Sequence, residues 1–221
     1  MRNALTSQCT RTRTSGSALL AAFAGLAALL LVPFDAAHAD WESEYHEPGT
    51  YWGLSGNLVV PSIGATIGQE GSRPYVGVTD VSSANGGMSV WFGYRIHPYV
   101  AIEVAADWFH SLEFDSVSDG QQKIDVFTGS VVFKGYPLAK LLDTVLDGRV
   151  QPYAYFAPGI AGATATTIKT PIHFTLAVGG GVDVWINTSW SVQVDAKHNW
   201  SFGNIDGLDF TTIGFGGAYH F

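Results

Sequence analysis

In GMSVWFGYRI, residues 87–96, one face carries Met88, Val90, Phe92, Tyr94 and Ile96, and the other carries Ser89, Trp91, Gly93 and Arg95. That is the period of a strand lying between two unlike surroundings. The pattern recurs in segments of about ten residues, separated by Gly, Pro, Asn, Asp and Ser. Eight segments can be placed, at roughly 50–60, 87–96, 100–110, 123–136, 150–163, 173–186, 190–201 and 210–221. An even count returns both ends of the chain to the same side of a sheet.

The face assignments narrow the fold further. In the third segment Val100, Ile102, Val104, Ala106 and Trp108 oppose Ala101, Glu103, Ala105 and Asp107. In the fourth, Phe127, Val131 and Phe133 oppose Thr128, Ser130 and Lys134. The sixth separates Phe174, Leu176, Val178, Val182, Val184 and Ile186 from Thr175, Gly179, Gly181 and Asp183, and the seventh separates Trp190, Val192, Val194, Ala196 and Trp200 from Ser191, Gln193, Asp195, Lys197 and Asn199. In the last, Ile213, Phe215, Gly217, Tyr219 and Phe221 alternate with Thr212, Gly214, Gly216, Ala218 and His220.

If these parities hold, same-face residues sit opposite each other across each tight hairpin, which demands an odd number of turn residues. His97-Pro98-Tyr99 and Asn187-Thr188-Ser189 supply three-residue turns of that kind. Longer connections, near 61–86, 111–122, 164–172 and 202–209, are rich in Gly, Ser, Asp and Thr and alternate with the short ones. The segment 137–149, PLAKLLDTVLDGR, spaces Leu138, Leu141, Leu142, Val145 and Leu146 as one short amphipathic helix in a turn on the side of the tight hairpins.

Seven charges on the strands just described fall on the less apolar parity: Arg95, Glu103, Asp107, Lys134, Asp183, Asp195 and Lys197, three cations and four anions. A soluble ligand-carrying barrel would place its polar residues outside. Here the order is inverted. Hydrocarbon leaves no partner for a free backbone N–H or C=O, so strands cross a membrane only when closed into a ring. Eight strands enclose a space only wide enough for side chains. The expected fold is all-β: an eight-stranded antiparallel transmembrane up-and-down barrel. An unpaired charge inside would be costly, so the seven charges are expected to form a salt-bridge network filling the lumen. Trp52, Tyr94, Trp108, Trp190, Trp200 and Tyr219 lie near strand ends on the apolar parity, where aromatic girdles meet headgroups.

Export is written at the N-terminus. Arg2, Arg11 and Arg13 precede the apolar run ALLAAFAGLAALLLV, Ala18 to Val32, and Ala37-His38-Ala39 offers a small-residue cleavage site. The run is shorter than the roughly 20 residues of a membrane-spanning helix, so residues 1–39 read as a cleaved secretory signal. Residues 40–49 then form a short periplasmic segment ahead of a barrel over 50–221. The remaining chain has 8 Lys/Arg and 18 Asp/Glu, a net 8 − 18 = −10. Nucleic acid, which requires a basic surface, is not an expected partner. Cys9, the one cysteine, falls in the signal, so no disulfide is available to the exported chain.

GYRIHPYVAIEVAADWF (93–109), VQPYAYFAPGIAGA (150–163) and the terminal AYHF together resemble the small OmpA/OmpX-type outer-membrane proteins with an eight-stranded β-barrel domain. The resemblance covers about 50–221. It implies residence in the bacterial outer membrane, contact with outer-membrane lipids and lipopolysaccharide, and insertion by the barrel-assembly machinery, with Tyr219 and Phe221 as the assembly signal. It does not select among envelope structure, adhesion, narrow pores and enzymes.

Chemistry is thinly represented. A membrane-facing His and Ser two residues apart, with a carboxylate nearby, would suit an acyl hydrolase acting on lipid A. His198 with Ser201 and His110 with Ser111 have the wrong spacing, because odd steps along a strand change face. His97, His110, His173, His198 and His220 are scattered without a ligand spacing, and EFDSVSDG (113–120) lacks the carboxylate pattern of a calcium loop. Gly179-Gly180-Gly181 lies inside a strand, where it signals close packing or a bend. No catalytic residue, metal or cofactor is expected. The reading is a monomeric barrel with a structural or surface-interaction role, presenting external loops, of which SIGATIGQEGSRPYVGVTDVSSANG (62–86) is the longest and the best placed for an external ligand. The alternatives are a narrow pore or small-solute conduit and, less favoured, the lipid A acyl hydrolase.

Overall fold

The computed structural model describes residues 45, 47–61, 69–70, 73–74, 85–116, 120–139, 141–142, 147–165, 172–202 and 209–221. The expected signal, most of the 40–49 segment and most of the 62–86 loop lie outside the described residues. Eight long strands follow one another: β1 Gly49–Pro61, β2 Asn85–His97, β3 Val100–Ser116, β4 Gly120–Gly135, β5 Val150–Ala165, β6 His173–Trp185, β7 Trp190–Ser201 and β8 Phe210–His220. Each pairs antiparallel with its neighbours in sequence, and β1 closes onto β8 from Tyr51↔His220 to Pro61↔Phe210. A two-residue ladder, Gln69–Glu70 with Arg73–Pro74, stands apart.

The alternation predicted from the sequence is the alternation of burial. Glu103 is 5 % exposed and Val104, next to it, 63 %. Met88, Val90, Phe92, Tyr94 and Ile96 are exposed while Ser89, Trp91 and Arg95 are buried. Leu176 is the exception, buried although on the outward parity, where Trp200 stands opposite it on β7. The core is therefore the lumen, in which Tyr51, Trp91, Val132, Tyr136, Tyr153 and Tyr155 pack with small alanines.

The hairpins show how parity is kept. Ile186 N–H donates to the Trp190 carbonyl at 2.9 Å, enclosing the three residues 187–189, and Asn187 Oδ1 accepts from the Ser189 and Trp190 amides at 2.9 Å each. Between β2 and β3 the turn proper is Pro98–Tyr99, and the odd residue is absorbed by a register shift between Arg95 and His97. A bulge does there what a third turn residue would do.

One expectation is corrected. The connection at 111–122 is mostly strand: pairing resumes past a shift between Phe109 and Leu112 and runs to Ser116↔Gly120. Once the backbone ladder no longer needs an apolar outer face, it continues without the alternation that marked it. Of the segment 137–149, expected as an amphipathic helix, residues 140 and 143–146 lie outside the described residues. The described residues carry a helical turn, with Leu142 N–H on the Leu138 carbonyl at 3.0 Å, and Leu138 and Leu141 are exposed. Asp147 and Gly148, both at positive φ, then reverse the chain toward β5.

Candidate functional site

The lumen is built in layers, each set by strand register. At the end where β1 begins and β8 finishes, Arg95 donates to Gln151 Oε1 at 2.8 Å, the Pro98 carbonyl at 2.8 Å and the Tyr45 carbonyl at 3.0 Å. Gln151 Nε2 also donates to the Tyr45 carbonyl, at 3.1 Å. The Tyr45 ring lies 5.5 Å from Trp185, which in turn sits 3.9 Å from His220. Tyr136, just beyond β4, has the Arg95 guanidinium 4.2 Å above its ring and donates to Asp183 Oδ2 at 3.0 Å. Burial, joined by the Asp183 carboxylate, raises the Tyr136 hydroxyl above its ordinary pKa, so it remains a donor.

The middle layer centres on Lys134 and Glu103, 2.6 Å apart and both buried. Tyr51 donates to the same Glu103 Oε1 at 2.6 Å, and the Lys134 ammonium stands 4.3 Å from the Tyr153 ring centre. Tyr155 donates to Asp195 Oδ2 at 2.9 Å. The glycine triplet makes room for these rings: a methyl group on Gly179 would lie 2.7 Å from the Tyr155 hydroxyl, and one on Gly181 2.7 Å from that of Tyr153. Above, Lys197 pairs with Asp107 at 2.8 Å, while Ser89 and Thr128, the latter at 2.5 Å, donate to the same carboxylate.

All seven charges singled out from the sequence thus line the lumen. Lys134–Glu103 and Lys197–Asp107 are direct ion pairs. Arg95 reaches Asp183 only through Tyr136, and Asp195 is held by a tyrosine. Between the layers a cavity of about 50 Å³ remains, lined among others by Asn57, Trp91, Asp195 and Asn199.

The far end is closed by apolar residues that sequence reasoning did not single out. Phe109 and Phe210 meet edge to face at 5.1 Å, and Val59, Val126 and Ala163 join them through the register, all nearly or fully buried. They are inward-parity residues brought to one level by register, with Phe109 and Val126 in mid-strand, a signal visible once the strands are aligned.

Outside, Tyr94, Trp52, Tyr219 and Trp190 follow one another around one rim, with Trp190 and Tyr219 at 5.0 Å. Phe221 is exposed, its ring 5.2 Å from Tyr219 and its amide on the Thr50 carbonyl at 3.1 Å. Near the opposite rim His198 Nδ1 lies 2.9 Å from Thr211 Oγ1 across the β7–β8 pair. The side chain of Ser111, weighed with His110 in the sequence, lies outside the described residues. His110 Nδ1 is 3.0 Å from Asp125, and His220 Nε2 is 3.0 Å from Ser191 within the lumen. Among the described residues no three His, Cys, Asp or Glu side chains converge to hold a metal ion.

A closed ring of eight strands with charges within and a girdled apolar skin without has the polarity of a membrane barrel, not of a soluble carrier. Residues 24–221 match the family described as Outer membrane protein beta-barrel domain, and the chain belongs to that family. It is a bacterial outer-membrane protein. No curated protein matches it. Among solved structures it is similar to Neisserial surface protein A (TM-score 0.58, 13 % identity, covering 78 % of this chain and 97 % of that one). It is also similar to OprG from Pseudomonas aeruginosa (TM-score 0.59, 14 % identity, covering 81 % and 99 %). Likeness at that identity is a likeness of fold.

Proposed function

We propose that β1 to β8 cross the outer membrane as a sealed barrel whose work is done by its external surface, as an envelope-structure or surface-interaction protein. The observation that carries this reading is the stopper at each end of the lumen: the Phe109–Phe210 layer at one, Tyr45 on the Arg95–Gln151 fork at the other, with ion pairs between. An unbroken path for ions would require displacing both stoppers. In this reading residues 1–39 are the removed signal, the termini face the periplasm, and the 62–86 loop faces outward toward any specific ligand. Tyr219 and Phe221 present an aromatic pair for the assembly machinery, and lipids with lipopolysaccharide solvate the apolar skin. Closure leaves no strand edge among the eight to recruit a second copy, which supports a monomer.

The His198–Thr211 pair is read as an interfacial anchor beside Trp200, 4.6 Å away. Strand amides there are committed to the ladder, which leaves few donors to stabilise an oxyanion. The test is conductance of the refolded protein in a planar bilayer, wild type beside Lys134→Ala. Silence from wild type supports the sealed barrel. Steady ion-selective steps would make it the narrow pore.

A further inference from the structure

Charge in the lumen does not balance locally. Lys134 and Lys197 answer Glu103 and Asp107, and Arg95 and Asp183 share Tyr136. Asp195 is left over. Its Oδ2 accepts the Tyr155 hydroxyl, and among the described residues no ammonium or guanidinium pairs with it. Asp195 is part-buried, and a carboxylate drawn out of bulk water without a counter-charge is disfavoured.

The surroundings indicate what supplies that charge. A methyl group on Gly214 would collide with Asp195 Oδ1 and stand 2.8 Å from Asn57 Oδ1, so two oxygens converge on the hole that this glycine leaves. Asn57 is oriented for it: its amide nitrogen donates to Ser89 Oγ at 2.6 Å, leaving its Oδ1 with only a Ser55 hydroxyl at 3.3 Å. Asn57 and Asp195 open on the cavity of about 50 Å³. Asn199 Nδ2 and Trp91 Nε1, on side chains buried in the wall of the same cavity, have no hydrogen-bond partner among the described residues. Since one water needs about 10–15 Å³, the space suits a small ion with a few waters and no organic molecule. The ionisable groups on its wall are Glu103, Asp107 and Asp195 against Lys134 and Lys197, which leaves one negative charge.

We propose that Asp195 and Asn57 hold a monovalent metal cation, sodium or potassium, inside the barrel, with water completing its shell and satisfying Asn199 and Trp91. A divalent ion is disfavoured by a single unpaired carboxylate and by two ammonium groups on the same wall.

Because the lumen is sealed, the test refolds the protein in zwitterionic micelles separately in sodium, potassium and N-methyl-D-glucamine chloride at equal ionic strength. The Asp195 carboxyl carbon signal and the unfolding midpoint are then read. Expected are a saturable shift of that signal with metal cation and a higher midpoint than in glucamine. Asn57→Ala weakens the dependence by about tenfold or more, Asn57→Asp strengthens it, and Asp195→Asn abolishes it. Equal midpoints and signals in all three salts would overturn the proposal. So would a carboxyl signal that follows pH and ignores the cation, which would make a proton the counter-charge, or an Asn57→Asp variant with wild-type cation dependence.

Discussion

Lys134→Met strips one partner from a buried ion pair and leaves volume nearly unchanged. Glu103 then retains only the Tyr51 hydroxyl at 2.6 Å, in a wall where its own side chain is 6 % exposed. Uncoupling a buried pair in this way costs about 3–5 kcal/mol, a band that includes the loss of the Tyr153 cation–π contact, itself worth about 0.5–2 kcal/mol. At 1.4 kcal/mol per factor of ten, the folding equilibrium constant falls by roughly two to three and a half orders of magnitude. Adding Glu103→Leu removes the stranded charge and costs only the Tyr51 hydrogen bond, about 1 kcal/mol, so the double variant lies close to wild type. The assay is a urea titration in micelles, followed by tryptophan fluorescence and by the gel mobility of folded barrel, completed as a double-mutant cycle. A single-variant cost below about 1 kcal/mol, or a double variant as unstable as the sum of the singles, would refute the reasoning. Either would mean that water in the adjoining cavity solvates the pair.

Val104→Lys, on the outward face of β3, destabilises the barrel in lipid vesicles by about 2–4 kcal/mol, measured by reversible denaturant unfolding, and a neutral result would argue against hydrocarbon at that face. Gly216→Ala places a methyl against the Leu54 carbonyl and 2.6 Å from Ser55 Cβ at the β1–β8 seam, costing about 1–3 kcal/mol, whereas Gly56→Ala meets nothing within 4 Å and is neutral; thermal unfolding distinguishes them. Pro158 lacks an N–H, and β4–β5 pairing breaks between Ser130↔Gly159 and Phe133↔Phe156 while both Val131 and Val132 stay paired with β3, so the one of these two amides that faces β5 exchanges with deuterium faster than the one that faces β3, and equal rates would refute this. Phe221→Ala lowers the yield of assembled protein in cell outer membranes while leaving refolding in micelles unchanged; an equal loss in both would assign Phe221 to stability alone.

Strand number, facing and closure were legible because side-chain period is a geometric property of each strand alone. Whether Val104 faces out needs only Glu103 and Ala105 beside it. Turn parity at 97–99 was legible as a constraint, but its solution by a bulge near Arg95 was not, since either device satisfies the same count. The outer stretch of β3 and β4 escaped notice because it pairs without alternating. Side-chain partners were the least legible. Tyr51 with Glu103, His198 with Thr211, and Ser191 with His220 all depend on register between strands, which no single strand encodes. Tyr45 carries no periodic signal at all, and its role emerges only from the Arg95 and Gln151 donors that meet its carbonyl.

The seam between β1 and β8 joins the first strand of the barrel to the last, from Tyr51↔His220 to Pro61↔Phe210. Until β8 exists, β1 has an open side, and until β1 has waited for it, neither can rest in hydrocarbon. A ribosome delivers these strands in order, yet the membrane can accept them only together. A chain truncated before Phe210 would therefore carry two unpaired strand edges, which hydrocarbon disfavours. The architecture imposes its own check, in which closure of the ring waits on the eleven residues of the final strand, Phe210–His220.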